Sequence, residues 1–312
     1  MTSLLEIRDL NVTFRGNQTV RAVNGVSLSL GEGEVLALVG ESGCGKSVVA
    51  HAIARLLPPS AEVEGNIRFQ DTDLLSLDEQ AMEKIRGAGI GVIFQNPSLA
   101  LNPLHRIGRQ VAEPLRLHRR VGKEESLGTA SRVLSRLGFP DPEAVMALYP
   151  SQSSGGMNQR FVTAASTVLD PHLLIADEPT KGLDRERVDG VVAELGGRLS
   201  GAGSALLLIT HDLSVARAMA DTIAVMYAGE VVEEGSPETV LSSPLHPYTR
   251  GLVGSLPENG FVPVPGLAPS PVALPGGCRF HPRCPDRLEC CTGEHPPLFV
   301  SGEQSVRCWR CR

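Results

Sequence analysis

Two sets of residues in this chain are typed and spaced for chemistry on phosphate. Gly40-Glu41-Ser42-Gly43-Cys44-Gly45-Lys46-Ser47 fits G-x-x-x-x-G-K-[ST] in full. Glycines at such positions let backbone N–H groups turn inward onto phosphate oxygens. The lysine adds positive charge at the β/γ-phosphates, and the last hydroxyl suits Mg²⁺. Gly40, Ser42, Gly43, Cys44, Gly45, Lys46, Ser47 and Val48 are the candidate nucleotide-binding residues, with Cys44 read as a small loop residue rather than a nucleophile. The second set is acidic. Leu173-Leu174-Ile175-Ala176 runs into Asp177-Glu178. An Asp at the end of a buried strand helps to hold Mg²⁺ beside such a loop. Glu178, next along, is expected to point to the other side and to reach an attacking water as general base.

Weaker candidates stand at two other strand ends. His211 follows Ala205–Thr210 and can contact a γ-phosphate, and Gln95 follows Ile90–Phe94 and can touch Mg²⁺ or the water. Each taken alone is more often a structural residue.

These residues need elements to position them. Val35–Val39, Ile90–Phe94, Leu173–Ala176 and Ala205–Ile209 are short apolar runs that read as buried parallel strands. Val48, Val49, Ala52, Ile53, Leu56 and Leu57 recur at helical spacing after the phosphate loop, and Pro58-Pro59 stops them. Thr222–Tyr227 and Glu230–Glu233 flank Gly229 as a closing hairpin. Strand signals vanish between Gln95 and about Thr167, where Ile107–Leu117 and Leu127–Leu137 look helical. We expect a helical subdomain inserted at about 96–167. Its arginines read as a solvated helix face rather than a nucleic-acid patch.

Composition narrows the partners. The 312 residues allow two ordinary domains, or one large domain with an appendix. With 29 basic against 35 acidic residues and 4% aromatics, neither a basic surface nor base-stacking platforms are indicated, so no nucleic-acid partner is expected. Met1 to Asp9 carries Glu6 and Asp9 and no apolar run, so no signal peptide is expected, and no apolar run is long enough to span a bilayer. The reading is of a soluble, cytosolic chain that reaches a membrane only through partners.

Six of the seven cysteines crowd the end of the chain: Cys278, Cys284, Cys290, Cys291, Cys308 and Cys311. Six prolines from Pro257 to Pro275 lead into them and mark an extended, loop-rich tail. Without a secretion signal, clustered cysteines read better as metal or cluster ligands than as disulfides, with unliganded surface thiols as the plain alternative. Thiolates suit iron–sulfur and zinc alike, and the scarcity of paired C-x-x-C spacings disfavours a zinc ribbon.

The loop Gly40 to Ser47, Gln95, Ser154-Gly155-Gly156-Met157, Asp177-Glu178, Asp184 and His211 occur in an order that resembles the ATP-binding subunit of ABC transporters, over roughly residues 4–255. The resemblance implies a RecA-like P-loop NTPase core of α/β class. It adds an antiparallel β subdomain, an inserted α-helical subdomain and a Cys-rich C-terminal extension. Residues 1–255 would be the nucleotide-binding domain and 256–312 the extension. It also implies that two such domains close head to tail around two ATP molecules. Ser154, Gly155, Gly156 and Met157 would then cap the ATP held by the partner. Phe14 would stack on adenine, Gln95 would sense the membrane partner, and Asp184 would lie in the loop joining the two sites. Mg²⁺ would be held by Ser47, Gln95 and Asp177, with Glu178, His211 and Gln95 acting on the water and the γ-phosphate.

Leu101-Asn102-Pro103 and Ser243-Pro244-Leu245-His246-Pro247-Tyr248-Thr249-Arg250 resemble segments of the branch importing oligopeptides, dipeptides and nickel. The tail resembles that branch's cysteine extension, which implies a [4Fe–4S] cluster on Cys278, Cys284, Cys290 and Cys308. The implied partners are a second ATP-binding subunit, most often a paralogue, two transmembrane permease subunits and a substrate-binding protein, at the cytoplasmic face of the membrane. The cargo expected first is a di- or oligopeptide. A nickel or metal chelate comes next, then a non-transport ABC ATPase and an iron–sulfur redox module. Four features depart from the family pattern: Ser153 before Ser154, Asn158 after Met157, the atypical run Phe161–Ala164, and Lys181-Gly182 ahead of Leu183-Asp184. They lead us to expect a working but slower site in the partner.

Overall fold

The computed structural model describes residues 3–181, 188, 190–193, 195–196 and 204–312; Asp184, Gly182 and Leu183 lie outside the described residues. The chain forms two compact units, one of residues 1–76 and 208–312, the other of residues 77–207.

In the first unit, β1 (Ser3–Phe14), β2 (Val20–Gly31), β4 (Ala61–Phe69) and β5 (Thr72–Asp73) form an antiparallel sheet in the order β2-β1-β4-β5. Leu5, Ile7, Leu10 and Val12 of β1 are all buried although the spacing slips between Ile7 and Leu10. A bulge absorbs the slip: Asp9 takes a left-handed φ of 48°, and the pairing register with both neighbours shifts there. That bulge breaks the apolar alternation of β1, whereas β2 keeps it at Val26, Leu28 and Leu30, a signal the sequence reading did not use; only the family resemblance implied this subdomain.

The second sheet of this unit holds the phosphate loop. β3 (Val35–Val39), buried along its whole length, pairs in parallel with β9 (Thr222–Tyr227). β9 returns as β10 (Glu230–Gly235) through Ala228-Gly229, both at positive φ, the conformation of a tight hairpin turn. The expected hairpin is present. The expected loop-rich tail is only partly so. Residues 256–298 form turns and single-turn helices, but β11 (Phe299–Ser301) and β12 (Gln304–Val306) add a hairpin to the edge of β10. Three-residue strands leave no readable periodicity.

A core of Val39, Ile223, Val225, Tyr227, Val232, Tyr248, Phe280, Cys278 and Cys291 joins β3, β9 and β10 to the tail. Tyr227 and Tyr248 lie with ring centroids 4.5 Å apart, and Phe280 meets Tyr227 edge-on at 5.2 Å. The helix Pro247–Gly254 starts inside this core. The buried His246 caps it, its Nδ1 accepting from Tyr248 N–H at 3.0 Å, which requires a neutral ring. Burial, with the nearby Arg250 charge, pushes His246 down to about 3. The buried Glu233 carboxylate accepts the Leu245 and His246 N–H groups at 2.7 and 2.9 Å, and burial raises its pKa.

In the second unit, β6 (Ile90–Ile93) and β7 (Leu173–Asp177) pair in parallel, Ile90 opposite Leu173 and Ile93 opposite Ala176. Between them the chain is helical, with Ile107–His118, Lys123–Arg136 and Gly155–Thr167 as its long elements. Both helices expected from spacing are present. The sequence reading placed nothing at Glu79–Ile85, a short helix capped by Asp78. β8 (Ala205–Thr210), wholly buried, carries the chain back into the first unit.

Candidate nucleotide site

In the first unit the loop 40–47 links β3 to the helix Lys46–Ile53, as the motif requires. Gly45 caps that helix at φ 109° and Gly40 sits at φ 154°. A Cβ on Gly40 would meet the Met226 carbonyl, and one on Gly45 the Ala22 carbonyl, so both positions exclude side chains by contact as well as conformation. The loop is tied from several sides. Gly229 N–H donates to the Cys44 carbonyl at 2.9 Å, and the Tyr248 hydroxyl accepts from Glu41 N–H at 2.9 Å. Lys46 is buried and its Nζ donates to the Gly40 and Glu41 carbonyls at 2.7 and 3.1 Å. Cys44 is buried too, and burial raises its thiol pKa, which fits the expected small loop residue and not a nucleophile.

His211 is exposed at the turn from β8 into the helix Leu213–Met219. Two local bonds hold the turn: Asp212 N–H donates to Thr210 Oγ1 at 3.0 Å, and Asp212 Oδ1 accepts from Ser214 N–H at 2.8 Å. Phe14, half-buried, ends β1 opposite Val20 and Ala61.

In the second unit, Gln95 is exposed two residues past β6. Asp177 is the last residue of β7, and it and Glu178 are both buried. The strand-alternation argument for Glu178 needs correction. Glu178 lies beyond the strand in a left-handed conformation, φ 51°, so a sharp turn and not the pleat sets its direction. Lys181 N–H closes that turn onto the Glu178 carbonyl at 3.1 Å.

The signature segment opens the helix Gly155–Thr167. Ser154 is its cap, Oγ accepting from Met157 N–H at 3.3 Å, and Ser154 and Gly155 face solvent. The atypical residues prove to be a matched pair. The Ser153 hydroxyl lies 2.7 Å from Asn158 Oδ1 and 2.8 Å from the Pro150 carbonyl, and Asn158 Nδ2 donates to the same carbonyl at 3.2 Å. A polar contact has replaced the expected apolar one, with no orphaned hydroxyl left behind. Spacing did not suggest this, though two small polar departures five residues apart about one helix start were the signal for it. Downstream, Phe161 stacks on Phe139 at 5.0 Å, and Arg160 lies 4.2 Å from the Phe139 ring centroid.

The cysteine expectation finds no support. Cys278, Cys291 and Cys308 are buried, whereas Cys284, Cys290 and Cys311 are partly exposed. Burial pushes the Cys278 thiol up to about 12 and the Cys308 thiol up to about 11. Among the described residues, no group of three or more His, Cys, Asp or Glu side chains is placed to hold a metal ion. Cys278 and Cys291 share a core with Phe280 and Tyr248, and Cys284 and Cys290 pack against it. Among the described residues, no helix is long and apolar enough to cross a membrane.

Comparison with known proteins agrees with this geometry. Residues 23–181 match the family described as ABC transporter, and residues 232–291 match the one described as oligopeptide/dipeptide transporter, C-terminal region. The chain is 42% identical to the dipeptide transport ATP-binding protein DppD of Bacillus subtilis (strain 168), over 99% of this chain and 95% of the relative. It is also 42% identical to the oligopeptide transport ATP-binding protein OppD of Mycobacterium tuberculosis (strain ATCC 25618 / H37Rv), of whose length it spans about half, 52%. Among solved structures it resembles dimeric MJ0796, a bacterial ABC transporter cassette, with TM-score 0.68 and 29% identity over 75% of this chain and 98% of that one. CbiO1 of Clostridium perfringens, part of an ABC transporter complex, matches with TM-score 0.66 and 26% identity over 78% of this chain and 92% of that one. The chain therefore belongs to the ABC transporter family, as an α/β ATP-binding cassette that carries the oligopeptide/dipeptide transporter C-terminal region.

Proposed function

We propose that this chain is the ATP-hydrolysing motor subunit of an importer for di- or oligopeptides, peripheral to the cytoplasmic face of the membrane. The observation that carries the reading is the joint presence, in one chain, of a complete phosphate loop and full-length similarity to a dipeptide transport ATP-binding protein. Residues 1–255 act as the nucleotide-binding domain and 256–312 as its C-terminal extension.

The loop amides from Gly40 to Val48 and the Lys46 ammonium bind the phosphates, and Phe14 takes the adenine. Ser47, Asp177 and Gln95 offer hard oxygen donors of the kind that suit Mg²⁺, which when bound neutralises charge on the β- and γ-phosphate oxygens. Glu178 accepts a proton from water as its oxygen attacks the γ-phosphorus. The bond from that phosphorus to the bridging oxygen breaks, and ADP and phosphate leave. His211 donates to the γ-phosphate oxygens as charge builds on them.

Ser154, Gly155, Gly156 and Met157 serve a second cassette. An exposed helix N-terminus with a hydroxyl beside it is a fitting anion cap, and the open surface at Ser154 and Gly155 supports a role toward another chain's ATP. Asp184 is assigned to the loop between the two sites by family pattern alone. Two permease subunits complete the assembly, reached through Gln95 and the helical segment. Past Gln95 the one-turn helix Pro97–Ala100 displays Leu99 and the loop after it Leu104, 83% and 81% exposed, while Gln110 braces that loop's backbone through Asn102 and His105. Two solvent-facing leucines on this stretch support a protein contact there.

The test is uptake. Vesicles carrying the chain with its permease partners and binding protein should take up a labelled dipeptide only with ATP, and Lys46→Ala should abolish uptake. Uptake of nickel in place of the dipeptide would overturn the cargo assignment.

A further inference from the structure

An acidic side chain in second place of a phosphate-binding loop is electrostatically unfavourable, because Glu41 sets a negative charge beside a polyanion. The structure shows what offsets it. Arg283, 242 residues away in sequence, reaches Glu41 with a two-pronged pair: Nη1 donates to Oε2 at 2.8 Å and Nη2 to Oε1 at 2.9 Å. The Arg283 side chain is only 5% exposed. Its Nε donates to the Pro265 carbonyl at 2.7 Å, so the fork is aimed by the backbone of the tail. Its guanidinium carbon lies 5.7 and 5.8 Å from the ring centroids of Tyr227 and Phe280, within the aromatic cluster described above.

Glu41 is thereby held at every polar group it has. Its N–H goes to the Tyr248 hydroxyl, its carbonyl to Lys46 and its carboxylate to Arg283. Tyr248 and Arg283 both come from the chain beyond β10. That arrangement exceeds what packing a tail requires. A buried, planar, bidentate pair fixes orientation as well as charge, and lysine cannot reproduce its geometry.

We propose that Arg283 is a positioning residue for ATP binding: it offsets the Glu41 charge and fixes the first turn of the phosphate loop, so that the C-terminal region sets nucleotide affinity. This rests on the chain binding ATP. Lys46 must leave the Gly40 and Glu41 carbonyls to reach a phosphate, and the clamp keeps that peptide in place when it does. Without Arg283, Glu41 stands as an unpaired carboxylate beside the triphosphate.

The experiment titrates a fluorescent ATP analogue into the purified full-length chain as wild type, Arg283→Met, Glu41→Gln and the double variant. Saturable binding to the wild type is the control, and its failure would remove the ATP-binding reading itself. Given that binding, Arg283→Met should weaken affinity by about tenfold or more. The double variant should bind more tightly than Arg283→Met yet more weakly than wild type, because removing the carboxylate removes the repulsion while the lost fork leaves the turn unfixed. Wild-type affinity in Arg283→Met, or a double variant as weak as Arg283→Met, overturns the proposal. Should the Met variant not fold, Arg283→Lys keeps the charge without the fork. It should weaken binding by about three- to tenfold, and unchanged affinity there overturns the positioning role.

Discussion

The phosphate loop and the signature turn use one physical device in opposite settings. Both present the start of a helix, where backbone N–H groups and the helix dipole favour an anion. The loop at Gly40–Ser47 is pinned by its own chain: Gly229, Tyr248, Lys46 and Arg283 all bond to it, and Cys44 and Lys46 are buried. The turn at Ser154–Gly156 is braced from behind by the Ser153–Asn158 pair and leaves Ser154 and Gly155 to solvent. The loop is braced on several sides by its own chain. The signature turn leaves its helix start to solvent, which is the difference the proposed role toward a second cassette rests on.

The most forceful way to break this comparison is to remove the chemistry and keep the binding. Glu178→Gln should retain ATP affinity and lower turnover about 10²- to 10⁴-fold, the usual weight of a general base. Phosphate release and nucleotide titration, run side by side, check both halves, and unchanged turnover would strip Glu178 of its role.

Gly155→Glu sharpens the comparison next. In the assembled transporter it should cut turnover by about tenfold or more, since a carboxylate would replace open space at an anion cap. Nucleotide affinity of the isolated chain should stay at the wild-type level. A loss of affinity in the isolated chain would mean that the signature serves its own loop.

A third prediction concerns what braces the loop from the tail. His246 lies at about 3 in the fold against an ordinary value near 6.5. The unfolded chain therefore binds more protons between those values, so the stabilisation present above pH 6.5 is lost as pH falls toward 3. The nearby groups are Glu233, whose raised pKa opposes part of this trend, and Arg250, which adds to it. His246→Gln should flatten the fall of melting temperature between pH 6.5 and 4.5 by about 1–2 kcal/mol equivalent. An identical slope in the variant would remove His246 as its source.

The smallest expected effect lies at the signature itself. A double-mutant cycle on Ser153→Ala and Asn158→Ala should give a coupling of about 0.5–1.5 kcal/mol in unfolding, the worth of one hydrogen bond. A coupling near zero would return both residues to mere departures from the family pattern.

The phosphate loop, the strand into Asp177, the helical stretch after Gln95 and the Gly229 hairpin were all legible because each is local. Glycines at fixed offsets, an apolar run of strand length and a two-residue turn announce themselves within about ten residues. β1 was not, because the bulge at Asp9 breaks the alternation that marks a strand, although the alternation of Val26, Leu28 and Leu30 in β2 was there to be read. The direction of Glu178 was misjudged for a related reason: a left-handed residue after a strand leaves no trace in residue type.

Sequence alone was enough to place this chain among the ATP-binding cassettes, because the backbone geometry of the phosphate loop is written in its glycines. The tertiary structure alone decided that Ser153 answers Asn158, that Arg283 answers Glu41, and that Cys278 and Cys291 join a core of aromatic rings. Such pairings depend on which distant segments share a core, and contacts between segments up to 242 residues apart carry no periodicity for a one-dimensional reading to find.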